Sequence, residues 1–244
     1  MFSAIICHIP SGSYLCRMSS FYTRPSEKFP PAIKYIIAIN VVVWLAQLYF
    51  DRQMGVDVFG MNKYMGGLTD RLALWPIGSR EFEPWQIITH MFAHAASGSF
   101  MPFHLLFNMF TLWMFGRILE NLWGTKRFLV FYLVSGLGAA AVHLLVQLVM
   151  YGPGIGAAAV GASGAVFGVL VGFGMLFPNT ELYLMFIPVP VKAKWAILGF
   201  IAIDLFGGLN QSNDGVAHFA HLGGALTGFI LMKIWNKTNR RTLY

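Results

Sequence analysis

Apolar residues are concentrated in six stretches of the chain, separated by polar or glycine-rich connections. Because a helix that spans a bilayer needs about 20 predominantly apolar residues, each stretch is a candidate membrane helix. The predicted spans are residues 32–50, 103–120, 127–150, 161–177, 182–206 and 216–235. The pattern therefore predicts an all-α membrane protein, a compact bundle of six transmembrane helices.

The polar connections suggest three parts. Residues 1–30 are predicted to form a polar cytoplasmic N-terminal segment, residues 31–236 the six-helix domain, and residues 237–244 a cytoplasmic tail. The connection between the first two spans, residues 51–102, is long and rich in glycine, methionine and aromatic residues. Loops of that length are usually functional or lie on a membrane, so we expect this first loop to be interfacial.

Composition agrees with a membrane protein and excludes an ordinary cytosolic enzyme, since 57% of the residues are hydrophobic and 11% are charged. The net charge is +7. Most basic residues lie in segments that an inside N-terminus places in the cytoplasm, whereas most acidic residues lie in the opposite segments. This positive-inside distribution predicts two cytoplasmic termini and explains the charge without a nucleic-acid partner. The N-terminal residues do not resemble a signal peptide, and we expect a bacterial inner membrane.

Four of the polar side chains inside the predicted spans attract attention: His104 and Asn108 in the second, Ser163 in the fourth and His221 in the sixth. Such residues are costly in a bilayer and mark function by default. At ~1.5 Å per helical residue, His104, Ser163 and His221 reach a common depth, roughly 10 Å beneath the outer face. Glycines repeating every three or four residues on the fourth and sixth spans allow these helices to approach closely.

These residue types match the parts of a serine acyl-transfer site. Ser163 follows a glycine-rich stretch and is predicted near a helix N-terminus, where free N–H groups stabilise an oxyanion. His104 and Asn108 share one helix face and offer two more donors, and His221 offers a base. Each feature alone also fits helix packing, a proton path or a metal site. Their combination at one depth favours catalysis.

The motifs resemble those of the rhomboid family of intramembrane serine proteases, in its six-helix bacterial form. The matching motifs are His104-Leu-Leu-Phe-Asn108, Gly161-Ala162-Ser163-Gly164 and Ala220-His221-Leu-Gly-Gly224-Ala-Leu-Thr-Gly228. The resemblance implies that Ser163 is the nucleophile and His221 the general base. It also implies an oxyanion hole formed by His104, Asn108 and the Ser163 N–H. The implied partners are transmembrane protein substrates and membrane lipid.

Two other functions fit parts of the pattern. The first is a catalytically silent rhomboid-like protein that binds membrane clients. Loss of the serine or the histidine would favour it, but this sequence keeps both. A transporter using His104 and His221 lacks the paired carboxylates and inverted repeat expected of one. No cofactor or metal is predicted. His90 and His94, at positions i and i+4, have a spacing that can bind zinc, but packing within the loop is favoured.

Further expectations concern single residues. No carboxylate is expected to orient His221, so the predicted site is a Ser-His dyad. Asp204 is expected to be polar packing near the outer end of the fifth span. His218 is either a helper at the water entrance or a residue that caps the loop, and the second role is favoured. Arg117 and Glu120 are predicted to form a structural ion pair. The resemblance implies a mobile lateral gate around residues 206–214.

Overall fold

The computed structural model describes residues 26–53, 67–96, 101–183, 189–210 and 216–238. Most of these residues are helical. The helices are α1 (Pro31–Gln53), α2 (Leu68–Leu72), α3 (Gln86–Thr89), α4 (Met101–Thr111), a π-helical turn (Leu112–Gly116), α5 (Arg117–Trp123), α6 (Thr125–Tyr151), α7 (Ser163–Leu176), α8 (Ala193–Leu209) and α9 (His218–Thr238). Two short antiparallel strands, β1 (Glu181–Leu182) and β2 (Val191–Lys192), join α7 to α8.

Each of the six predicted apolar stretches contains a helix. The second stretch contains α4, the π-helical turn and α5 in succession. Among the described residues, two helices are by themselves long and apolar enough to cross a membrane: Pro31–Arg52 and Thr125–Tyr151, with mean hydropathy 1.7 and 2.1. The mainly helical fold is thus confirmed, whereas the count of six spans stays a prediction. Most of the predicted N-terminal segment and tail lies outside the described residues.

The fifth stretch differs from its predicted bounds. Helix was expected from residue 182, but α8 begins at Ala193, after Leu182 and Val191 have paired in the β1–β2 ladder. Pro190 explains part of the difference, since proline lacks an N–H and disfavours helical geometry in the residue before it. The helix was therefore predicted about ten residues too early, because the first part of this apolar stretch forms strands.

The predicted ion pair between Arg117 and Glu120 is replaced by other contacts. Glu120 accepts hydrogen bonds from the Ala32 and Ile33 N–H groups at 2.8 and 2.9 Å, where α1 begins. Arg117 lies over the Trp113 ring, 4.2 Å from its centroid. Free N–H groups at a helix N-terminus attract a carboxylate, so Glu120 anchors the start of α1 on α5.

Helices α6, α7 and α9 form the centre of the bundle and pack differently along their length. Toward the end of α9, Trp235 packs edge-on against Trp123, with ring centroids 5.6 Å apart. Toward the start of α9 the contacts are made by small residues, and a Cβ added at Gly228 would lie 2.8 Å from the Cα of Gly168 on α7. Small residues let helix backbones approach closely where no large side chain fills the gap.

Large apolar side chains cover much of the outer surface of the bundle. Val149 on α6 is 76% exposed, and Phe206 on α8 is 71% exposed. Val42 and Tyr49 on α1 are similarly exposed. An apolar surface of this extent is unfavourable in water and suits contact with lipid.

Candidate active site

Ser163 is the first residue of α7, with Ala162 at the N-cap position. The first intrahelical hydrogen bond runs from the Val166 N–H to the Ala162 carbonyl at 3.0 Å. The N–H groups of Ser163 and Gly164 therefore have no acceptor within the helix. The hydroxyl lies beside two backbone donors, at the positive end of the helix dipole.

The segment before Ser163 is held by the first loop. Leu74 and Ala159 exchange both backbone hydrogen bonds, at 2.8 and 3.0 Å, and the Gly161 N–H donates to the His90 carbonyl at 2.9 Å. From the other side, the Gln147 side chain on α6 donates to the Ala157 carbonyl at 2.8 Å. The first loop thus has a structural role, because it fixes the backbone that presents Ser163.

Gly161 leaves open the space between Ser163 and His104. A Cβ at this glycine would lie 3.1 Å from His104 Nε2 and 3.5 Å from Ser163 Oγ. Its φ of +127° is a conformation that residues with a side chain rarely adopt. Both space and backbone geometry therefore require glycine, and the gap is bordered by the two predicted site residues.

The hydrogen bond at His104 Nδ1 determines which ring nitrogen carries the proton. The Ala95 N–H donates to this atom at 3.2 Å. A backbone N–H can only donate, so Nδ1 is the acceptor and the neutral ring has its hydrogen on Nε2. His104 therefore directs an N–H donor toward the gap at Gly161. Asn108, one turn later, donates from Nδ2 to the His104 carbonyl at 2.8 Å and retains a second amide hydrogen.

His221 is brought to the start of α7 by the glycine contact between α7 and α9. A Cβ at Gly224 would overlap the Gly164 carbonyl oxygen, and a Cβ at Gly164 would lie 3.3 Å from the Ala220 carbonyl oxygen. The residues that follow Ser163 and precede His221 are thus in contact. The His221 ring also stacks on Phe167, one turn after Ser163, with centroids 4.5 Å apart and planes 9° apart.

Asp204 corrects one expectation. Its Oδ1 lies 3.0 Å from His221 Nδ1 and 2.8 Å from His218 Nδ1. The expectation that no carboxylate is placed to orient His221 was wrong, and Asp204 makes specific contacts rather than simple polar packing. The role of His218 as a loop cap stays a prediction. The contact joins residues 17 positions apart on different helices. The sequence signal was available, because an acidic residue within an apolar helix is itself unusual.

His90 and His94 have separate environments. His90 Nδ1 lies 2.8 Å from the Gln86 carbonyl oxygen, whereas the His94 ring lies beside His104, with centroids 5.2 Å apart. Burial lowers the pKa of both, that of His94 to about 3. Within the described part of the chain, no group of three or more His, Cys, Asp or Glu side chains is placed to hold a metal ion.

The predicted gate region is described only in part. Phe206 and Leu209 are 71% and 67% exposed at the end of α8. Residues 211–215 lie outside the described residues, so the gate stays a prediction. The catalytic roles of Ser163, His221, His104 and Asn108 are likewise predictions. The structure places Ser163 and His104 on either side of Gly161, stacks His221 on Phe167 one turn after Ser163, and puts Asn108 one turn after His104.

Comparison with known proteins identifies the family. A family model described as the Rhomboid domain matches residues 81–237, more than half of the chain and including every residue of the candidate site. Rhomboid protein 1, mitochondrial, from Saccharomyces cerevisiae is 36% identical over 132 residues, 52% of this chain and 36% of that protein. RHOMBOID-like protein 1 from Arabidopsis thaliana is 34% identical over 223 residues, 83% of this chain and 52% of that protein.

A human relative, Presenilin-associated rhomboid-like protein, mitochondrial, is 33% identical over 132 residues, 53% of this chain and 33% of that protein. The chain thus spans between a third and about half of the length of these relatives. Two of the three names refer to mitochondria, and a bacterial inner membrane stays a prediction. Rhomboid proteins are integral to membranes and include both proteases and catalytically inactive members. From its motifs, its fold and these matches, the chain belongs to the rhomboid family.

Proposed function

We propose that this chain is an intramembrane serine endopeptidase that cleaves transmembrane-helix substrates near the outer face of the bilayer. The observation that carries the proposal is the gap at Gly161, where Ser163 Oγ and His104 Nε2 lie 3.5 and 3.1 Å from the point that a Cβ would occupy. A carbonyl group bound beside Ser163 would then face both a nucleophile and an N–H donor. His221, stacked one turn along α7 on Phe167, supplies the base.

Acylation begins when Ser163 Oγ attacks the scissile carbonyl carbon. The proton on Oγ passes to His221 Nε2, and the carbonyl π electrons move onto oxygen. The resulting oxyanion accepts hydrogen bonds from the Ser163 N–H, the His104 Nε2–H and the second amide hydrogen of Asn108. His221 then gives its proton to the leaving amine nitrogen, the C–N bond breaks, and an ester on Ser163 remains.

Deacylation reverses these roles. A water molecule gives a proton to His221 Nε2 as its oxygen attacks the ester carbonyl, and the same donors stabilise the second oxyanion. Collapse breaks the bond to Ser163 Oγ, which recovers the proton from His221. The products are a new carboxyl terminus and a new amino terminus on the two halves of the substrate.

A transmembrane substrate must expose its backbone before it can be cleaved. A helix satisfies its own carbonyl groups, so the segment at the scissile bond has to unwind, and small or helix-breaking residues lower the cost of unwinding. The polar groups at the Ser163 end of α7 and the start of α9 can replace some of the hydrogen bonds that are lost. Substrates with glycine, serine or proline near the scissile bond are therefore preferred.

The test is labelling of the detergent-solubilised protein with a fluorophosphonate probe. In this reaction Ser163 Oγ bonds to phosphorus, fluoride leaves, and His221 takes the hydroxyl proton. We expect labelling of the parent protein and none of Ser163→Ala or His221→Ala. Ser135→Ala is the matched control, since Ser135 is a buried serine on α6 that faces Gly168, away from the site.

Each outcome of the labelling has a definite meaning. Labelling of the parent and of Ser135→Ala, together with its loss in both site variants, supports an activated Ser163. A folded parent that does not react would contradict the proposal and favour a catalytically silent client-binding protein. Labelling that persists in Ser163→Ala would place the reactive nucleophile elsewhere. Cleavage of a single-span substrate in liposomes then tests the endopeptidase step itself.

A further inference from the structure

The carboxylate of Asp204 lies between two histidines. Its Oδ1 is 2.8 Å from His218 Nδ1 and 3.0 Å from His221 Nδ1, and about 8% of its side chain is exposed. Asp204 is on α8, whereas both histidines are in the first turn of α9. A charged side chain at membrane depth is unfavourable unless it is paired, so the position of Asp204 needs an explanation beyond packing.

The contact with Asp204 determines the state of the His221 ring. A carboxylate oxygen accepts hydrogen bonds, so the hydrogen of neutral His221 lies on Nδ1 and the lone pair on Nε2. This is the tautomer that can take a proton from Ser163 Oγ. When His221 is protonated during the reaction, the same carboxylate stabilises the positive charge.

His218 has a different relation to the site. It reaches the same carboxylate oxygen, and Gly207 on α8 makes room for its ring, because a Cβ there would lie 2.6 Å from His218 Cε1. With hydrogen bonds from two directions, the Oδ1 atom has little freedom to rotate away from His221. His218 thus acts on the carboxylate, and the carboxylate acts on His221.

We propose that Asp204 is a positioning residue that completes a Ser163–His221–Asp204 triad, and that His218 holds its carboxylate in place. The inference rests on the proposed function and deepens it. Within residues 26–53, 67–96, 101–183, 189–210 and 216–238, the other titratable side chains near His221 are His104 on α4, His143 on α6 and His218, which shares the Asp204 oxygen with it. All three are histidines, so Asp204 is the carboxylate partner of His221 in this part of the chain.

The experiment compares the fluorophosphonate labelling rate of the parent with those of Asp204→Asn, His218→Gln and Asp51→Asn. Asn keeps the size of the side chain and removes its charge, so we expect Asp204→Asn to lower the maximal labelling rate by ~10²-fold or more. The probe concentration at half-maximal rate should not change. His218→Gln should lower the rate less than ~10-fold, because the contact with His221 remains. Asp51→Asn is the control, because Asp51 is also a buried carboxylate but lies on α1 and accepts a hydrogen bond from Thr69 on α2.

A second measurement uses the protein without substitutions. In protein with isotope-labelled histidine, the nuclear magnetic resonance spectrum should show His221 protonated at Nδ1 with a strongly downfield proton, as expected for a bond to a carboxylate. This signal remains available if Asp204→Asn does not fold, which thermal unfolding in detergent would show.

The outcomes separate this inference from the proposed function. Ser163-dependent labelling with a slow Asp204→Asn and an Nδ1-protonated His221 supports the triad. Ser163-dependent labelling at the parent rate in a folded Asp204→Asn, or a His221 protonated at Nε2, overturns the triad and leaves a Ser-His dyad. No Ser163-dependent labelling of the parent overturns both.

Discussion

Two histidines of the candidate site lie on different helices, His104 on α4 and His221 on α9, and the groups at their Nδ1 atoms are opposite in kind. His221 Nδ1 lies 3.0 Å from a carboxylate oxygen, which accepts a hydrogen bond. His104 Nδ1 lies 3.2 Å from the Ala95 backbone N–H, which donates one. The neutral rings therefore carry their hydrogens on different nitrogens, Nδ1 in His221 and Nε2 in His104.

The difference shows that the partner at Nδ1 assigns the role of a histidine. A ring with its lone pair on Nε2 can take a proton from a serine, whereas a ring with hydrogen on Nε2 can stabilise an oxyanion. In the proposed mechanism, histidine thus serves as the base on α9, where it is His221, and as a donor on α4, where it is His104. Single substitutions can change the surroundings of one histidine at a time.

The largest effect is expected from filling the gap between the two sides. Gly161→Val places a branched side chain within about 3 to 4 Å of both His104 Nε2 and Ser163 Oγ, at a backbone conformation that valine disfavours. Fluorophosphonate labelling should fall by more than ~10³-fold, because neither the carbonyl nor the probe can enter. Gly152→Val is the control, since its φ of +89° is similarly strained and no atom lies within 4 Å of the added Cβ. Retained labelling in Gly161→Val would remove the gap from the mechanism.

The next effect concerns the donor side alone. His104→Ala removes the Nε2–H donor and should lower the labelling rate by ~10²-fold to 10³-fold, the usual loss for one oxyanion donor. The resonance signature of His221 should remain, because its carboxylate partner on α8 is unchanged. If His104→Ala removed that signature as well, the two histidines would be coupled, and the assignment of separate roles would be wrong.

A smaller effect is expected from a substitution that moves α9, and with it His221, away from α7. Gly224→Ala overlaps the Gly164 carbonyl oxygen and forces α7 and α9 apart. We expect a loss of about 1 to 3 kcal/mol in the free energy of unfolding and a roughly 10-fold slower labelling rate. Gly199→Ala is the control, because no atom of the described residues outside its own stretch of α8 lies within 4 Å of a Cβ at this position. Equal stability of the two variants would contradict the tight α7–α9 contact.

The sequence predicted some of these features better than others. The apolar stretches, the glycine faces and the polar residues within them follow from local periodicity and from the bilayer's penalty for polar groups, so Ser163 and His221 could be singled out as candidates without a structure. The Asp204 partner depends on how α8 packs against α9, and the Ala95 N–H depends on an irregular loop. Neither contact has a sequence period. The strands at the fifth stretch were missed for a similar reason, since a mean hydropathy does not register where proline divides an apolar run.

A third histidine, His94, differs from His104 and His221. It is buried, and neither of its ring nitrogens has a hydrogen-bond partner within the described part of the chain. Burial, together with the nearby His104, lowers the pKa of His94 from 6.5 to about 3 in the folded protein. Between these values the unfolded chain binds a proton that the folded protein does not. Above pH 6.5, His94 therefore takes nothing from the free energy of unfolding. As the pH falls below 6.5, His94 lowers the free energy of unfolding by up to about 1.4 kcal/mol per pH unit.

His94→Phe should reduce this pH dependence while leaving the labelling rate at pH 7 within a few-fold of the parent. The measurement is thermal unfolding in detergent between pH 7 and pH 5. His90→Gln is the comparison variant: burial also lowers the pKa of His90, and its hydrogen bonds to backbone groups oppose that effect, so its influence on the slope should be smaller. If stability depended on pH equally in the parent and in His94→Phe, His94 would have to have a hydrogen-bond partner in the folded protein. His94 would then no longer differ from His104 and His221.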